Sequence, residues 1–113
     1  MIEKIIRDFL VDDLSEPVYT EIPKTYPPTF FVIEKTGSAQ VNHIKTSTVA
    51  IKSCSKNSLY EAAVMNETLK SLMLYGLIDE PAIIRVDLNS DYNFTDSASG
   101  LYRYQAVFDI KHY

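Results

Sequence analysis

The alternation of apolar and polar side chains after Leu101 constrains the fold of this chain more than any other feature. Apolar or aromatic residues occupy every second position, and mostly charged or polar residues lie between them. The apolar set comprises Tyr102, Tyr104, Ala106, Phe108 and Ile110, and the polar set comprises Arg103, Gln105, Asp109 and Lys111. A two-residue period is that of a β-strand with one buried face. The segment therefore predicts a strand in a sheet that another layer covers on one side.

Two segments have the helical period that such a covering layer needs. Residues 2 to about 14 carry apolar side chains at steps of three and four, which predicts an amphipathic helix that ends before Pro17. Ser58 and Glu61 have the spacing of a capping box, in which the serine accepts from a first-turn amide and the glutamate reaches back to the amide of Ser58. We expect this second helix to run to Gly76, as a left-handed C-cap, and to be the main support of the sheet.

The segments between the helices predict strands and connections. We expect a short strand at residues 18–22, a strand buried on both faces at residues 29–34 and a long strand at residues 43–54. The prolines predict an extended surface connection at residues 23–28, with Tyr26 exposed or held against the body. Residues 36–42, which include Gly37, predict a polar loop.

The last third of the chain predicts a hairpin. Residues 82–88 form a strand that continues toward Phe94, and a turn at residues 95–100 joins it to the final strand. A length of 113 residues suits one domain, spanning residues 1–113. The expected class is α+β: an N-terminal helix, a mixed, mostly antiparallel sheet of about four or five strands, one long helix packed on the sheet, and a C-terminal β-hairpin.

Charge and cysteine content limit the possible functions. The formal net charge of −4 argues against a general nucleic-acid binder, which needs a clustered basic face. Cys54 is the only cysteine, so an intrachain disulfide is impossible, and we expect it to be a small buried hydrophobe rather than a reactive thiol. The first residues mix acids with apolar side chains, which is typical of neither a signal peptide nor a membrane span. These features predict a cytoplasm-like environment.

No group of residues in the sequence predicts a catalytic or metal site. The run Asp87, Asn89, Asp91, Asn93 and Asp96 resembles the start of a calcium loop, but Tyr92 and Ala98 occupy the positions that need glycine and glutamate. We expect this run to be a solvated strand edge. The two histidines, His43 and His112, lack any ligand spacing, and we expect them on the surface or at the rim. The interpretation is a protein without cofactor that is not an enzyme.

Aromatic residues are the remaining unusual feature of the composition. The chain has eight tyrosines, five phenylalanines and no tryptophan, and several of them lie on the C-terminal hairpin. Tyrosine buries a large area at low entropic cost and keeps a polar tip, which suits a protein interface.

Taken together, these segments resemble the small tail-terminator proteins of long-tailed bacteriophages, the tail-completion or head-tail joining family of phages and prophages of Gram-positive hosts. The N-terminal helix and four sequence phrases carry the resemblance: FFVIEKT at 30–36, SLYEAA at 58–63, DYNFTD at 91–96 and GLYRYQAVFDI at 100–110. It implies a structural virion protein that forms a ring, expected to be a hexamer, on the end of the tail tube. Such a ring would stop tube growth and offer a surface to the head connector protein.

The resemblance also implies partners and a location. The partners are other copies of the chain, the tail-tube protein and a head-completion or connector protein, while DNA passes through the lumen without specific binding. The location is the host cytoplasm during assembly, then the head-proximal end of the tail in the virion. We expect the subunit interface to use Gly37, Gln40, Asn42, Tyr92, Phe94 and Tyr102.

Two alternatives remain at this point. The chain could be a different neck or connector adaptor of the same assembly. It could instead be a small α+β ligand-binding module or enzyme whose pocket uses His43, Cys54 and the run from Asp87 to Asp96.

Overall fold

Two helices lie against one face of a five-stranded sheet. The computed structural model describes residues 2–95 and 98–113. The elements are α1 (Ile2–Asp13), β1 (Val18–Tyr19), β2 (Thr29–Val41), β3 (Ile44–Ser55), α2 (Leu59–Tyr75), a 3₁₀ turn (Leu77–Asp79), β4 (Ile83–Asn93) and β5 (Tyr102–His112). The strand order is β1-β2-β3-β5-β4, and every neighbouring pair is antiparallel except β1 and β2. The α+β class and the arrangement of elements predicted from the sequence are confirmed.

The main core lies between the helices and the sheet. Ala106, Phe108 and Ile110 of β5 are fully buried there, as the alternation predicts. Val49 and Ile51 of β3 pair with Phe108 and Ala106 and point to the same side. We call this side the helix face and the opposite side of the sheet the open face. Among residues 2–95 and 98–113, no helix has both the length and the apolarity needed to cross a bilayer.

A second, smaller cluster lies on the open face. Phe30, Val32 and Cys54 pack there with Leu101, while Phe31 and Ile33 point into the main core. The strand that the sequence predicts to be buried on both faces is therefore confirmed. The partly buried ring of Tyr26, in the proline-rich connection, also packs on this cluster, and its centre lies 4.9 Å from the centre of the Phe30 ring. Lys56 Nζ lies 4.6 Å from the ring centre of Tyr26 and forms a cation–π contact with it.

The prediction of a loop at residues 36–42 is wrong, because β2 continues as a strand to Val41. A two-residue turn, Asn42 and His43, connects it to β3, and both residues have positive φ, at 50° and 68°. Gly37 and its polar neighbours are typical of a loop, but pairing with β3 satisfies the backbone of this segment. A bulge between Lys35 and Gly37 leaves Thr36 outside the register, and Thr36 Oγ1 donates to the Thr48 carbonyl at 3.2 Å.

Two other local predictions need correction. The strand expected at residues 18–22 is only Val18 and Tyr19, since the chain leaves the sheet toward its prolines. Gly76 is right-handed, with φ of −114°, and not a left-handed cap. A glycine is needed there for a different reason: a Cβ would lie 2.8 Å from the ring of Phe9 in α1. The helical path continues past it into the 3₁₀ turn.

Half of the predicted capping box is confirmed. Ser58 Oγ accepts from the amide of Glu61 at 3.1 Å and caps α2. The carboxylate of Glu61 does not return to the amide of Ser58, and instead accepts from Ser55 Oγ at 2.7 Å and Asn57 Nδ2 at 2.9 Å. These contacts tie the start of α2 to the end of β3.

Phe108→Asp should prevent folding, because it places a carboxylate against the fully buried core under both helices. We expect a loss above about 4 kcal/mol, a large fraction of the stability of a small domain. Gln105→Asp is the matched control, since the same carboxylate would lie on the open face opposite Lys52. Thermal unfolding followed by circular dichroism checks both variants, and an unchanged melting temperature for Phe108→Asp would contradict the register of β5.

Candidate interaction surfaces at the two ends of the sheet

The residues predicted to form subunit contacts lie at opposite ends of the sheet. Ser55 pairs with Tyr102 at one end, which we call the aromatic end, and Lys45 pairs with His112 at the other, the hairpin end. About ten residue pairs separate these positions, which corresponds to roughly 33 Å of strand. Gly37, Gln40 and Asn42 lie at the hairpin end, and Tyr92, Phe94 and Tyr102 lie at the aromatic end.

Tyr92 and Phe94 form an exposed aromatic pair on the open face. Their rings meet edge to face, with centroids 6.1 Å apart, and they are 42% and 40% exposed. Lys52 Nζ lies 5.5 Å and Arg103 Cζ 4.8 Å from the ring centre of Phe94. Gln105 Nε2 contacts the hydroxyl of Tyr92 at 2.5 Å. These contacts fix a flat apolar surface that carries two cations, which suits a protein interface.

Tyr102 does not belong to that surface. It pairs with Ser55, whose hydroxyl contacts Glu61 of α2, so Tyr102 lies on the helix face. Tyr92 and Phe94 lie level with Gln105 and Arg103, which point to the open face. Because side chains alternate between the two faces along β5, Tyr102 lies on the face opposite to that of Tyr92 and Phe94.

The hairpin end carries a small-residue strip on the open face. The bulge at Thr36 resets the alternation of β2, so Gly37 pairs with Thr48 and Ala39 with Thr46. Val41 pairs with Ile44 beside the turn, and they are 69% and 38% exposed. A Cβ on Gly37 would meet nothing within 4 Å, so this strip is flat and open. Gln40 lies on the other face, and Asn42 lies at the tip of the turn.

A pocket of about 340 Å³ lies on the helix face at the hairpin end, and we call it the helix-face pocket. His112 borders it and is only 5% exposed, so the prediction of a surface histidine is wrong for His112. The period of β5 places His112 on the buried side, and its Nε2 lies 2.8 Å from Ser47 Oγ. Its Nδ1 lies 3.1 Å from the main-chain oxygen of Tyr113. His43 is exposed at the turn, as predicted.

The acidic run of β4 is divided between the two faces. Asn89 Nδ2 donates to Asp109 on the open face at 3.0 Å, and Asp87 pairs in register with Asp109. A second register shift between Leu88 and Ser90 turns Asp91 to the helix face, where it forms an ion pair with Lys70 of α2. Asp91 and Glu67 raise the pKa of Lys70. Asp96 lies outside the described residues, and among the described residues no group of three potential metal ligands occurs.

The residues of the alternative ligand pocket are not brought together. Cys54 and His43 lie at opposite ends of β3, and the acidic run lies two strands away in β4. Cys54 is buried beside Phe30, as predicted, and desolvation raises the pKa of its thiol to about 11. The thiol is therefore protonated at neutral pH and is a poor nucleophile.

Sequence reasoning missed the basic residues that accompany these surfaces. The alternation of β5 predicts Arg103 on its outer side, but the position of Arg103 above Phe94 depends on how β4 pairs with β5. The pocket residues Lys35, Lys45 and Ser47 lie in segments for which the sequence predicts only strand and loop. The bulge that turns Lys35 and Gln40 to one face has no sequence signal beyond Gly37.

Comparisons with known proteins do not identify a family for the chain. No protein-family model matches it, and no curated protein sequence matches it.

The buried thiol predicts a pH dependence of stability. An unfolded cysteine ionises near its ordinary pKa of 9.0, while Cys54 in the folded chain has a pKa of about 11. Folding therefore keeps its full stability below pH 9 and loses up to roughly 2–3 kcal/mol as the pH rises through 11. Urea unfolding of the wild type and of Cys54→Ala at pH 8 and pH 10.5 measures the difference. Equal pH dependence in the two proteins would contradict the burial of the thiol.

Proposed function

We propose that the chain is a structural subunit that joins end to end with copies of itself into a ring, and that the ring caps a phage tail tube. In this role the ring ends polymerisation of the tube and offers its other side to a head-completion or connector protein. The family resemblance in the sequence suggests the tail terminator and a hexamer. The exposed surfaces of the fold are the independent support for self-assembly.

One observation carries the proposal: two unlike apolar surfaces lie at opposite ends of an elongated molecule. The molecule measures 44 × 25 × 23 Å, and the aromatic pair and the small-residue strip lie near the ends of its sheet. A closed ring needs heterologous contacts, in which one patch meets a different patch of the next copy. If the exposed aromatic rings of one copy packed on the flat strip of small residues of the next copy, their apolar area would be removed from water, which favours association.

The size of the chain also favours a ring. A subunit whose two shorter dimensions are 25 and 23 Å cannot surround a DNA duplex alone, so several copies must line a channel. The net charge of −4 gives such a channel little attraction for phosphate groups. DNA would pass through it without specific binding.

Measurement of the assembled mass tests the proposal. We expect purified protein, alone or after addition of tail-tube subunits of its phage, to give a ring-shaped particle. Six 12.9-kDa chains would have a mass of about 77 kDa. Light scattering gives the mass, and negative-stain microscopy shows the ring and whether it sits on tube ends. A monomer under all of these conditions would contradict the proposal, and so would a two-fold dimer that pairs the two open faces.

Tyr92→Ala should weaken self-association tenfold or more without affecting folding, because it removes one of the two exposed rings of the aromatic pair. Tyr75→Ala is the control, since Tyr75 is also exposed but lies at the end of α2, away from that pair. Sedimentation velocity over a concentration series compares the two variants with the wild type. Equal association of all three would remove Tyr92 from the interface.

A further inference from the structure

The helix-face pocket is lined by hydrogen-bond donors. On β2, Phe31 and Ile33 point into the main core, and Lys35 follows them on the same face and borders the pocket. The lining includes six polar side chains: Lys35, Ser38, Gln40, Lys45, Ser47 and His112. All six can donate a hydrogen bond, and none of the described residues of the lining is an aspartate or a glutamate. A lining of this kind suits an anionic group.

The bulge at Thr36 brings these donors to one face. Without the extra residue, the alternation of β2 would turn Ser38 and Gln40 to the open face. With it, Ser38 pairs with Ser47, and Gln40 pairs with Lys45. Three neighbouring strands, β2, β3 and β5, therefore contribute donors to one cavity.

Ser47 and His112 form the buried part of this lining. They are 2% and 5% exposed, and His112 Nε2 lies 2.8 Å from Ser47 Oγ. The main-chain oxygen of Tyr113 can only accept, so His112 Nδ1, 3.1 Å away, carries a hydrogen. With a neutral ring, the hydroxyl of Ser47 donates to Nε2. With a protonated ring, Nε2–H donates to Ser47 Oγ, and the hydroxyl hydrogen is free to donate to a ligand in the pocket.

The charged groups around His112 in the pocket are both cations. Lys45 pairs with His112 in register, and Lys35 lines the same cavity from β2. The side chains that α1 presents to the pocket and that β4 pairs with His112 are apolar: Ile2, Ile5 and Ile83. An anion in the pocket would offset the repulsion between the two ammonium groups and a protonated imidazole. Binding of the anion and protonation of His112 would then support each other.

A larger cavity of about 860 Å³ between α1 and residues 17–24 lacks this character. It also has basic residues in its lining, but Glu21 lines it as well. Its Lys4 and Arg7 both form ion pairs with Asp8. Buried donors and an acid-free lining therefore distinguish the helix-face pocket from this larger cavity.

We propose that the helix-face pocket binds a phosphate group with two negative charges, either free phosphate or the phosphate monoester of a small molecule. A phosphate group offers at least three strong acceptor oxygens, which suits donors that approach from three strands. The volume of about 340 Å³ lies at the lower end of the roughly 300–1,000 Å³ of ligand pockets, so the ligand is small. A nucleic acid needs a longer basic track than one pocket. This site does not depend on the proposed ring.

Titration calorimetry with inorganic phosphate tests the site. In about 150 mM sodium chloride, which screens weak binding to exposed charges, we expect saturable binding of one phosphate per chain. Lys45→Gln should weaken this binding tenfold or more. Lys111→Gln is the matched control and should keep the wild-type affinity, because Lys111 lies at the same end of the sheet but pairs with Thr46 on the open face. Equal losses in the two variants, or a wild type that does not saturate, would overturn the site.

Two serine variants test the buried part of the lining. Ser47→Ala should weaken phosphate binding several-fold at pH 6, because it removes the hydroxyl at the floor of the pocket. Ser53→Ala is the control, since Ser53 is also buried on β3 but does not line the pocket, and its Oγ has no partner among the described residues. Circular dichroism and thermal unfolding establish that each variant is folded. Equal phosphate affinity of the two folded variants would contradict the proposed geometry.

The pH dependence of sulfate binding tests the part played by His112. Sulfate keeps two charges between pH 6 and pH 8, so a change in its affinity reports protonation of the protein. We expect tighter binding at pH 6 in the wild type and no such difference in His112→Gln. The same pH dependence in both proteins would contradict the link between the imidazole and the anion.

Competition experiments distinguish the sources of the phosphate group. Phenyl phosphate should compete with inorganic phosphate for the pocket, and the tighter of the two shows whether a free or an esterified group is preferred. A short DNA duplex should not compete. A duplex that binds and loses its affinity in Lys45→Gln, while neither small phosphate binds, would overturn the proposal. Because the titration counts sites per chain in any oligomer, its failure would leave the ring proposal standing.

Discussion

Burial of one face of the sheet under α1 and α2 is the interaction on which the rest of the structure depends. The fully buried side chains of β3 and β5 supply the apolar surface that holds both helices, and burial of each large side chain contributes about 2–3 kcal/mol. Because a sheet alternates its side chains, this burial also decides what the opposite face presents. Lys52, Arg103 and Gln105 are turned outward for the same reason that Phe108 is turned inward.

The candidate surfaces lie near the two ends of the open face of the sheet, which neither helix covers. At the aromatic end, Lys52 and Arg103 lie against the ring of Phe94, and Gln105 contacts the hydroxyl of Tyr92. At the hairpin end, β2 and β3 continue to Val41 and Ile44, which stay exposed. A molecule that leaves unlike apolar surfaces uncovered at its two ends is suited to end-to-end contacts, and this supports the proposed assembly more directly than any single residue does.

Ion pairs within the chain involve five of its basic side chains among the described residues. Most charged side chains on the helices and on β4 find partners within the chain, as Lys70 does with Glu67 and Asp91. The lysines of the helix-face pocket and the carboxylates at the end of α1 do not, within the described residues.

The sequence by itself determined the elements whose signal is local: the period of β5, the two helices, the cap at Ser58 and the double-sided burial of Phe30 and Phe31. It also determined the burial of Cys54 and the general position of the aromatic residues. Only the tertiary structure decided the face of each residue after the bulge at Thr36, the reason for glycine beside Phe9, and the meeting of Ser47 with His112. These features depend on strand register and on contacts between residues far apart in sequence, 65 positions in the case of Ser47 and His112. A periodic pattern fixes how side chains alternate within one strand, whereas the pairing between strands fixes which side chains meet.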